Sequence, residues 1–251
     1  MGAAGCKTGN SSLYGERGIT MSQSLSFLCQ LSAIFLRYPD ELIKQESVEL
    51  GTLISLSNLS IEQKKAFEEI RIFLAKTPLL DAQSQYVQLF DMSPSLSLYL
   101  FQHVHGDSRM RGQAMVDLLE EYRSAGLDLQ GNELPDFLPA YLEYASLCEP
   151  QKTQERLTEI VDILAVLSRR LQERKSVYSG IFQILQVASQ RLPDEEVVHA
   201  HLRDTAVMDD PATLDMRYEE KPVTFDHASS PAACSAMRSD YSGRDRVETR
   251  A

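Results

Sequence analysis

The feature that most constrains this chain is the spacing of its apolar residues between residues 21 and 192. Throughout this range Leu, Ile, Phe and Tyr recur every three or four positions, which is the period of an amphipathic α-helix. No segment shows sustained alternation of period two, and residues 96–101 form the only strand-like apolar run. The sequence therefore predicts an all-α fold.

Breaks in this pattern predict about eight helices. Tyr38-Pro39 ends the first, because the residue before a proline avoids helical angles. Asp40 can cap a second helix that extends through Ile54. Ser60, with Gln63 three residues later, predicts a capping box at the start of the third.

Further along the chain, Leu134-Pro135-Asp136 is predicted to open the sixth helix. One long seventh helix is predicted from the apolar stripe Leu157, Ile160, Val161, Leu164, Leu167 and Leu171. Because the connections between helices are short, we expect residues 21–192 to pack as a single helical bundle.

The composition changes outside this range. Residues 1–20 are rich in Gly and Ser and lack the apolar core of a secretory signal, so we expect a disordered extension, with Met1 or Met21 as the natural start. Residues 193–221 are predicted to form an acidic, mostly solvated segment with room for one short helix. Residues 222–251 lack the apolar content needed for order and are predicted to be a disordered tail.

Charge and cysteine usage restrict the classes of function. The formal net charge is −11, which argues against non-specific binding to nucleic acid or anionic lipid and suits a basic partner segment. No apolar run approaches the roughly 20 residues that span a bilayer, so we expect no insertion into a membrane. The four cysteines are scattered without a Cys-x-x-Cys pair, which is typical of a reducing cytoplasm.

The densest group of chemically active side chains lies in residues 101–115. His103 and His105 could supply two metal ligands from an extended backbone, which leaves open a metal-dependent hydrolase. Ser108 lacks the Gly-x-Ser-x-Gly context of a nucleophile, and no phosphate-binding loop occurs in the chain. The simpler interpretation is that these residues shape the start of a helix.

Two further observations point to binding rather than catalysis. Arg109 and Arg111 are two positions apart and cannot share a helix face, so we expect one of them to turn inward and pair with a carboxylate. A second dense patch at residues 134–144 contributes aromatic residues that, with others from residues 86–90, could line an apolar groove for a partner helix. The alternative, that these rings belong to the core, stays open for each of them.

These patches together resemble a known family. The segments that carry the resemblance occur in order and at family spacing, and they are residues 36–40, 80–91, 101–119 and 133–144. They are similar to the NarJ-type nitrate reductase assembly chaperones, also called the delta subunit. The resemblance covers roughly residues 25–190. One departure is Phe137, because the Pro-Asp pair of the family is usually followed by histidine.

The resemblance implies a cytoplasmic, TorD-like helical chaperone without catalytic activity or a tightly held cofactor. Such a protein would bind the apo catalytic (alpha) subunit of respiratory nitrate reductase, including its N-terminal segment as a helix in an apolar groove. It would assist insertion of the molybdenum cofactor and an iron–sulfur cluster before membrane assembly, with molybdenum cofactor delivery proteins as further partners. A generic helical scaffold remains a further alternative.

The residues that we predict to form the client-binding surface and its support are Tyr86, His103, His105, Arg109, Arg111, Asp136, Tyr141 and Glu143.

Overall fold

The computed structural model describes residues 21–104, 110–129 and 133–206 of the 251-residue chain. Within these ranges the chain forms twelve α-helices, a π-helical turn at Val87–Asp91 and a 3-10 turn at Pro94–Leu96, and no β-strand. The all-α prediction is confirmed, although the helices outnumber the eight or so expected. The predicted extensions at residues 1–20 and 222–251 lie outside the described residues.

The α-helices are α1 (Met21–Phe35), α2 (Glu41–Gln45), α3 (Ser47–Leu56), α4 (Ile61–Lys76), α5 (Leu79–Tyr86), α6 (Leu100–Val104), α7 (Met110–Ser124), α8 (Leu138–Leu147), α9 (Pro150–Glu159), α10 (Val161–Glu173), α11 (Ser179–Ala188) and α12 (Glu195–Ala206).

Two of the predicted helices are each divided in two, which explains half of the difference in number, and the additional helices α6 and α12 explain the rest. The second breaks at Glu46, between α2 and α3, and the seventh breaks at Ile160, between α9 and α10. Ile160 has φ −104° and ψ 6° and is itself buried. Because the apolar stripe continues through the bend, the spacing of apolar residues could not reveal it.

Helix α10 lies at the centre of the bundle. Nine of its 13 residues are buried, and a helix that is covered on nearly all sides belongs to a protein interior rather than to its surface. Its leucines join residues of α1, α4, α8 and α11 in one continuous core. The largest fully buried side chains of that core include Phe35, Phe67, Tyr144 and Phe182.

The acidic segment is more ordered than its charge suggested. Helix α12 is twelve residues long and packs on α10, where Val198 is fully buried against Ala165 and Val166. The Arg169 guanidinium also pairs with the Glu195 carboxylate at 2.6 Å. The short helix that the sequence allowed in this segment is therefore present as α12, and most of its described residues stay exposed or half-buried. Net charge did not indicate that one of its apolar side chains, Val198, is buried. Residues 207–221 lie outside the described residues.

None of the helices in the described ranges is both long and apolar enough to cross a lipid bilayer.

The capping box predicted at Ser60 is confirmed, and it provides a test of local stability. The Ser60 hydroxyl accepts a hydrogen bond from the Gln63 backbone N–H at 3.2 Å, and the Gln63 side chain accepts one from the Ser60 N–H at 2.8 Å. Ser60→Ala should lower the free energy of unfolding by about 1 kcal/mol in urea denaturation, because the first turn of α4 loses its cap.

Ser55→Ala is the matched control for this measurement. The Ser55 hydroxyl bonds only to the Thr52 carbonyl on an exposed helix face, so its loss should change the unfolding free energy little. Equal effects of the two substitutions would contradict the assigned role of the capping box.

Candidate functional site

A short backbone pairing joins the two polar patches that stand out in the sequence. The Leu138 N–H donates to the Leu98 carbonyl at 2.8 Å, and the Leu100 N–H donates to the Asp136 carbonyl at 2.9 Å. Tyr99 and Phe137 face each other across this antiparallel bridge, with ring centroids 5.4 Å apart. Residues 134–137 do not open a helix as predicted. They form a turn in which the Phe137 N–H donates to the Leu134 carbonyl at 3.1 Å, Phe137 pairs with Tyr99, and α8 starts only at Leu138.

Asp136 is the buried polar centre of this pairing. Its side chain is fully buried, and Oδ2 accepts a hydrogen bond from the Phe101 N–H at 3.2 Å in the first turn of α6. The guanidinium of Arg111 on α7 lies 3.8 Å from the same oxygen. Asp136 therefore caps one helix and faces a cation from another, which matches the prediction that one arginine turns inward. Arg109 lies outside the described residues.

This polar centre is incompletely satisfied within the described part of the chain. There Asp136 Oδ1 and Arg111 Nε are both buried without a hydrogen-bond partner. Burial raises the pKa of Asp136, while the Phe101 N–H and the Arg111 guanidinium oppose that rise. Burial of this carboxylate therefore costs free energy, and a further hydrogen-bond donor could reduce that cost.

Helix α7 packs against this centre through few residues. Leu118 and Tyr122 are its only buried residues in the described ranges. The Tyr122 hydroxyl donates to the Pro135 carbonyl at 2.7 Å, next to Asp136, and its ring lies 4.8 Å from that of Tyr144. The segment that precedes α8 is therefore bound on one side by residues 98–100 and on the other by Tyr122 of α7.

A pocket of about 260 Å³ opens beside the backbone pairing and is mainly aromatic. The residues that line it are Tyr38, Tyr86, Phe90, Asp91, Leu98, Tyr99 and Phe137. Tyr86 is almost fully buried and its hydroxyl donates to the Leu36 carbonyl at 2.9 Å, so its ring is a fixed wall. Tyr38, by contrast, is 47% exposed at the mouth and meets Tyr86 edge to face at 5.5 Å.

The π-helical turn Val87–Asp91 shapes one side of this pocket. Wide turns of this kind are rare and occur frequently at functional sites. Here the turn buries Phe90 against Tyr86 and Tyr178, at ring centroid distances of 4.9 and 5.1 Å, while the next residue, Asp91, stays exposed. An aromatic ring and a carboxylate thus stand side by side at the pocket.

Two further predicted site residues, Tyr141 and Glu143, support the site but do not line the pocket. Tyr141 is buried, and its hydroxyl lies 3.0 Å from the Arg156 carbonyl and 3.2 Å from the Glu159 carboxylate, either of which can accept its proton. Glu143 pairs with Arg37 at 2.8 Å, which ties α8 to the end of α1 next to Tyr38. These two residues lie where they can stabilise the site rather than on the pocket wall.

His103 stabilises the local structure through a hydrogen bond to the backbone. Its Nε2 lies 2.8 Å from the Ser97 carbonyl, and burial lowers its pKa, although this hydrogen bond opposes the effect. Among the described residues no group of three or more His, Cys, Asp or Glu side chains could hold a metal ion. His105 and Ser108 lie outside the described residues.

Sequence reasoning missed several residues of the pocket. Tyr38 was recognised only as part of a helix stop, and Phe137 only as the loss of a family histidine, yet both line the pocket with Tyr99 and Asp91. Their contributions depend on the pairing of residues 98–100 with 136–138, and no spacing along the chain indicates a pairing over that distance. The aromatic residues predicted to line the groove were Tyr86, Phe90, Tyr141 and Tyr144; all four are buried, and of these only Tyr86 and Phe90 reach the pocket.

Comparison with known proteins gives this site its context. The sequence model of the family described as "Nitrate reductase delta subunit" matches residues 57–183, just over half of the chain. The chain belongs to this family. The nitrate reductase molybdenum cofactor assembly chaperone NarJ of Escherichia coli K12 is 41% identical over 211 residues, which cover 83% of this chain and 89% of that protein.

Two more relatives carry the same description with the word "probable" before it. NarW of Escherichia coli K12 is 35% identical and the match covers 86% of this chain and 91% of that protein. NarJ of Bacillus subtilis is 28% identical, with 73% and 95% covered. The predicted family is thus confirmed, and with it a role as an assembly chaperone rather than as an enzyme.

The pH dependence of the free energy of unfolding tests the role of Asp136. Burial places its pKa above the ordinary 3.8, so the folded state binds a proton more readily than the unfolded state. The stability contributed by this group is therefore present below pH 3.8 and is lost as the pH rises through the folded-state pKa. Relative to Asp136→Asn, the wild-type free energy of unfolding should fall over that window.

Comparison of Asp136→Ala with Asp136→Asn separates the role of Asp136 as a helix cap from the effect of its charge. Asp136→Ala removes the acceptor of the Phe101 N–H and leaves the Arg111 guanidinium without its carboxylate, and we expect a loss of about 1–3 kcal/mol at neutral pH. Asp136→Asn keeps an acceptor and should cost less. If urea denaturation gave the same loss for both variants at every pH, the assigned role of the carboxylate would be wrong.

Proposed function

We propose that this chaperone binds the apo catalytic (alpha) subunit of respiratory nitrate reductase and assists insertion of the molybdenum cofactor and an iron–sulfur cluster before membrane assembly. The observation that carries the proposal is the aromatic pocket set directly beside the buried Asp136–Arg111 centre. The names of the relatives support an assembly role, and the pocket offers a place where a segment of a client could dock.

The predicted site residues take distinct parts in this proposal. Tyr86 forms a wall of the docking pocket, and Arg111 and Asp136 form the polar centre beneath it. His103, Tyr141 and Glu143 act as support, through their bonds to Ser97, to α9 and to Arg37. Tyr38, Tyr99 and Phe137 join the proposed client-binding surface because they line the pocket. For His105 and Arg109 the role remains a prediction from the sequence.

The N-terminal segment of the alpha subunit is the part of the client that we propose to dock here as an amphipathic helix. An amphipathic helix suits a docking site lined by aromatic rings, and basic residues on it would suit a chain with a net charge of −11. We propose residues 21–192 as the client-binding domain, with molybdenum cofactor delivery proteins as further partners.

We also propose that this action takes place in the cytoplasm. Cys29 and Cys148 are both free thiols, and burial raises the pKa of Cys29 to about 12, so that thiol stays protonated. Thiols kept free in this way suit a reducing compartment.

The proposal predicts measurable binding of a client peptide. Calorimetric titration of the full chain with the N-terminal segment of the alpha subunit should show saturable binding with a negative heat-capacity change, because apolar surface becomes buried. Tyr38→Ala should weaken this binding about tenfold or more, equivalent to about 1.4 kcal/mol, because Tyr38 is the most exposed ring of the pocket.

Leu80→Ala is the matched control, since Leu80 is 79% exposed but does not line the pocket. It should leave the affinity unchanged. Equal binding of a scrambled peptide of the same composition would instead indicate a generic scaffold. If neither the peptide nor the purified apo alpha subunit binds, the proposed function is wrong.

A further inference from the structure

We propose that the aromatic pocket holds a cationic side chain, a guanidinium in first place, with Asp91 as its counter-ion. The pocket is a distinct binding element whose ligand chemistry follows from its own walls. The inference rests on the proposed function only for the identity of the protein that supplies the cation.

Five aromatic rings line the pocket. Tyr38, Tyr86 and Phe90 form one group of touching rings, and Tyr99 and Phe137 form a second group across the opening. The face of an aromatic ring is the negative end of its quadrupole, and a cation near such a face is attracted to it. A planar guanidinium can in addition stack on a ring, which an ammonium cannot do.

The one charged residue among the described residues that line the pocket is acidic. Asp91 is exposed at its edge, and no hydrogen bond or ion pair joins its carboxylate to another residue in the described ranges. Burial raises the pKa of Tyr99, and the nearby carboxylates of Asp136, Asp91 and Glu133 raise it further. No Lys or Arg is among the residues that line the pocket.

A purely apolar ligand would fit these walls less well than a cation. It would cover the Asp91 carboxylate without supplying a partner, and desolvation of an unpaired charge is costly. Burial already raises the pKa of Asp91, in accord with a carboxylate that has lost part of its hydration. A cation in the pocket would restore that lost interaction.

The size of the pocket favours a side chain over a free cofactor. Its volume of about 260 Å³ lies below the range of about 300–1,000 Å³ that is usual for small-molecule sites. One long side chain can fill such a space with its alkyl stem against the rings and its charged head at the mouth, beside Asp91.

Two small probes of equal shape test the chemistry of the pocket. We would titrate the full isotope-labelled chain with n-butylguanidinium and with the neutral n-butylurea and follow amide and aromatic NMR resonances. The expected result is a saturable shift of the Tyr38, Asp91 and Phe137 signals with n-butylguanidinium, at an affinity at least fivefold above that of n-butylurea. Equal affinities, or shifts located elsewhere, would overturn the proposal.

Asp91→Asn should lower the affinity for n-butylguanidinium about fivefold or more and leave that for n-butylurea unchanged. Asp81→Asn is the matched control, because Asp81 is an exposed aspartate of α5 that does not line the pocket. The control gives the same change in net charge and should have no effect. Equal losses in the two variants would mean that general charge, rather than Asp91, governs binding.

A client peptide separates this inference from the proposed function. Replacement of each Arg in the alpha-subunit peptide by citrulline keeps its shape and removes the charge, and at one position it should weaken binding in the wild type but not in Asp91→Asn. If the parent and citrulline peptides bind equally well, the cation site is wrong while the proposed function stands. If n-butylguanidinium binds but no client peptide does, the proposed function fails while the cation site stands.

Discussion

The site depends on the contact between residues 98–100 and 136–138. Two backbone hydrogen bonds and one side-chain cap, all within about 3 Å, bring together segments that are more than 30 residues apart. The buried Asp136 is the residue common to this contact, because its carbonyl pairs with the strand-like segment and its carboxylate caps α6. Without the pairing, Tyr99 and Phe137 would not face each other, and the pocket would lose one of its walls.

A buried carboxylate at such a junction is unusual for a residue that serves only stability. Ordinary core packing would avoid the desolvation of Asp136, and a buried ion pair is weak evidence for stability in itself. Its unsatisfied oxygen and the unsatisfied Nε of Arg111 lie beneath a pocket that is open to solvent. The region thus combines an incompletely satisfied ion pair with an adjacent aromatic opening.

The core that carries the site is simple by comparison. Helix α10 is buried on nearly all sides and packs closely on α11 and α12, and its leucines share one core with residues of α1, α4, α8 and α11. Helix α12 adds a small separate cluster around Val198 on another side of α10. The bundle thus provides a rigid frame, while the less regular segments between α5 and α8 hold the polar and aromatic groups.

The sequence by itself determined the helical class of the fold, the capping box at Ser60 and the family. Each of these depends on local spacing or on motifs that can be read along the chain. It could not place the bend at Ile160 or the packing of α12, because an apolar stripe has the same period on both sides of a bend and net charge hides one buried valine. The tertiary structure alone decided which aromatic residues line the pocket. Tyr38, Asp91, Tyr99 and Phe137 come from three separate segments, and only the long-range pairing around Asp136 and the π-helical turn bring their side chains to one opening.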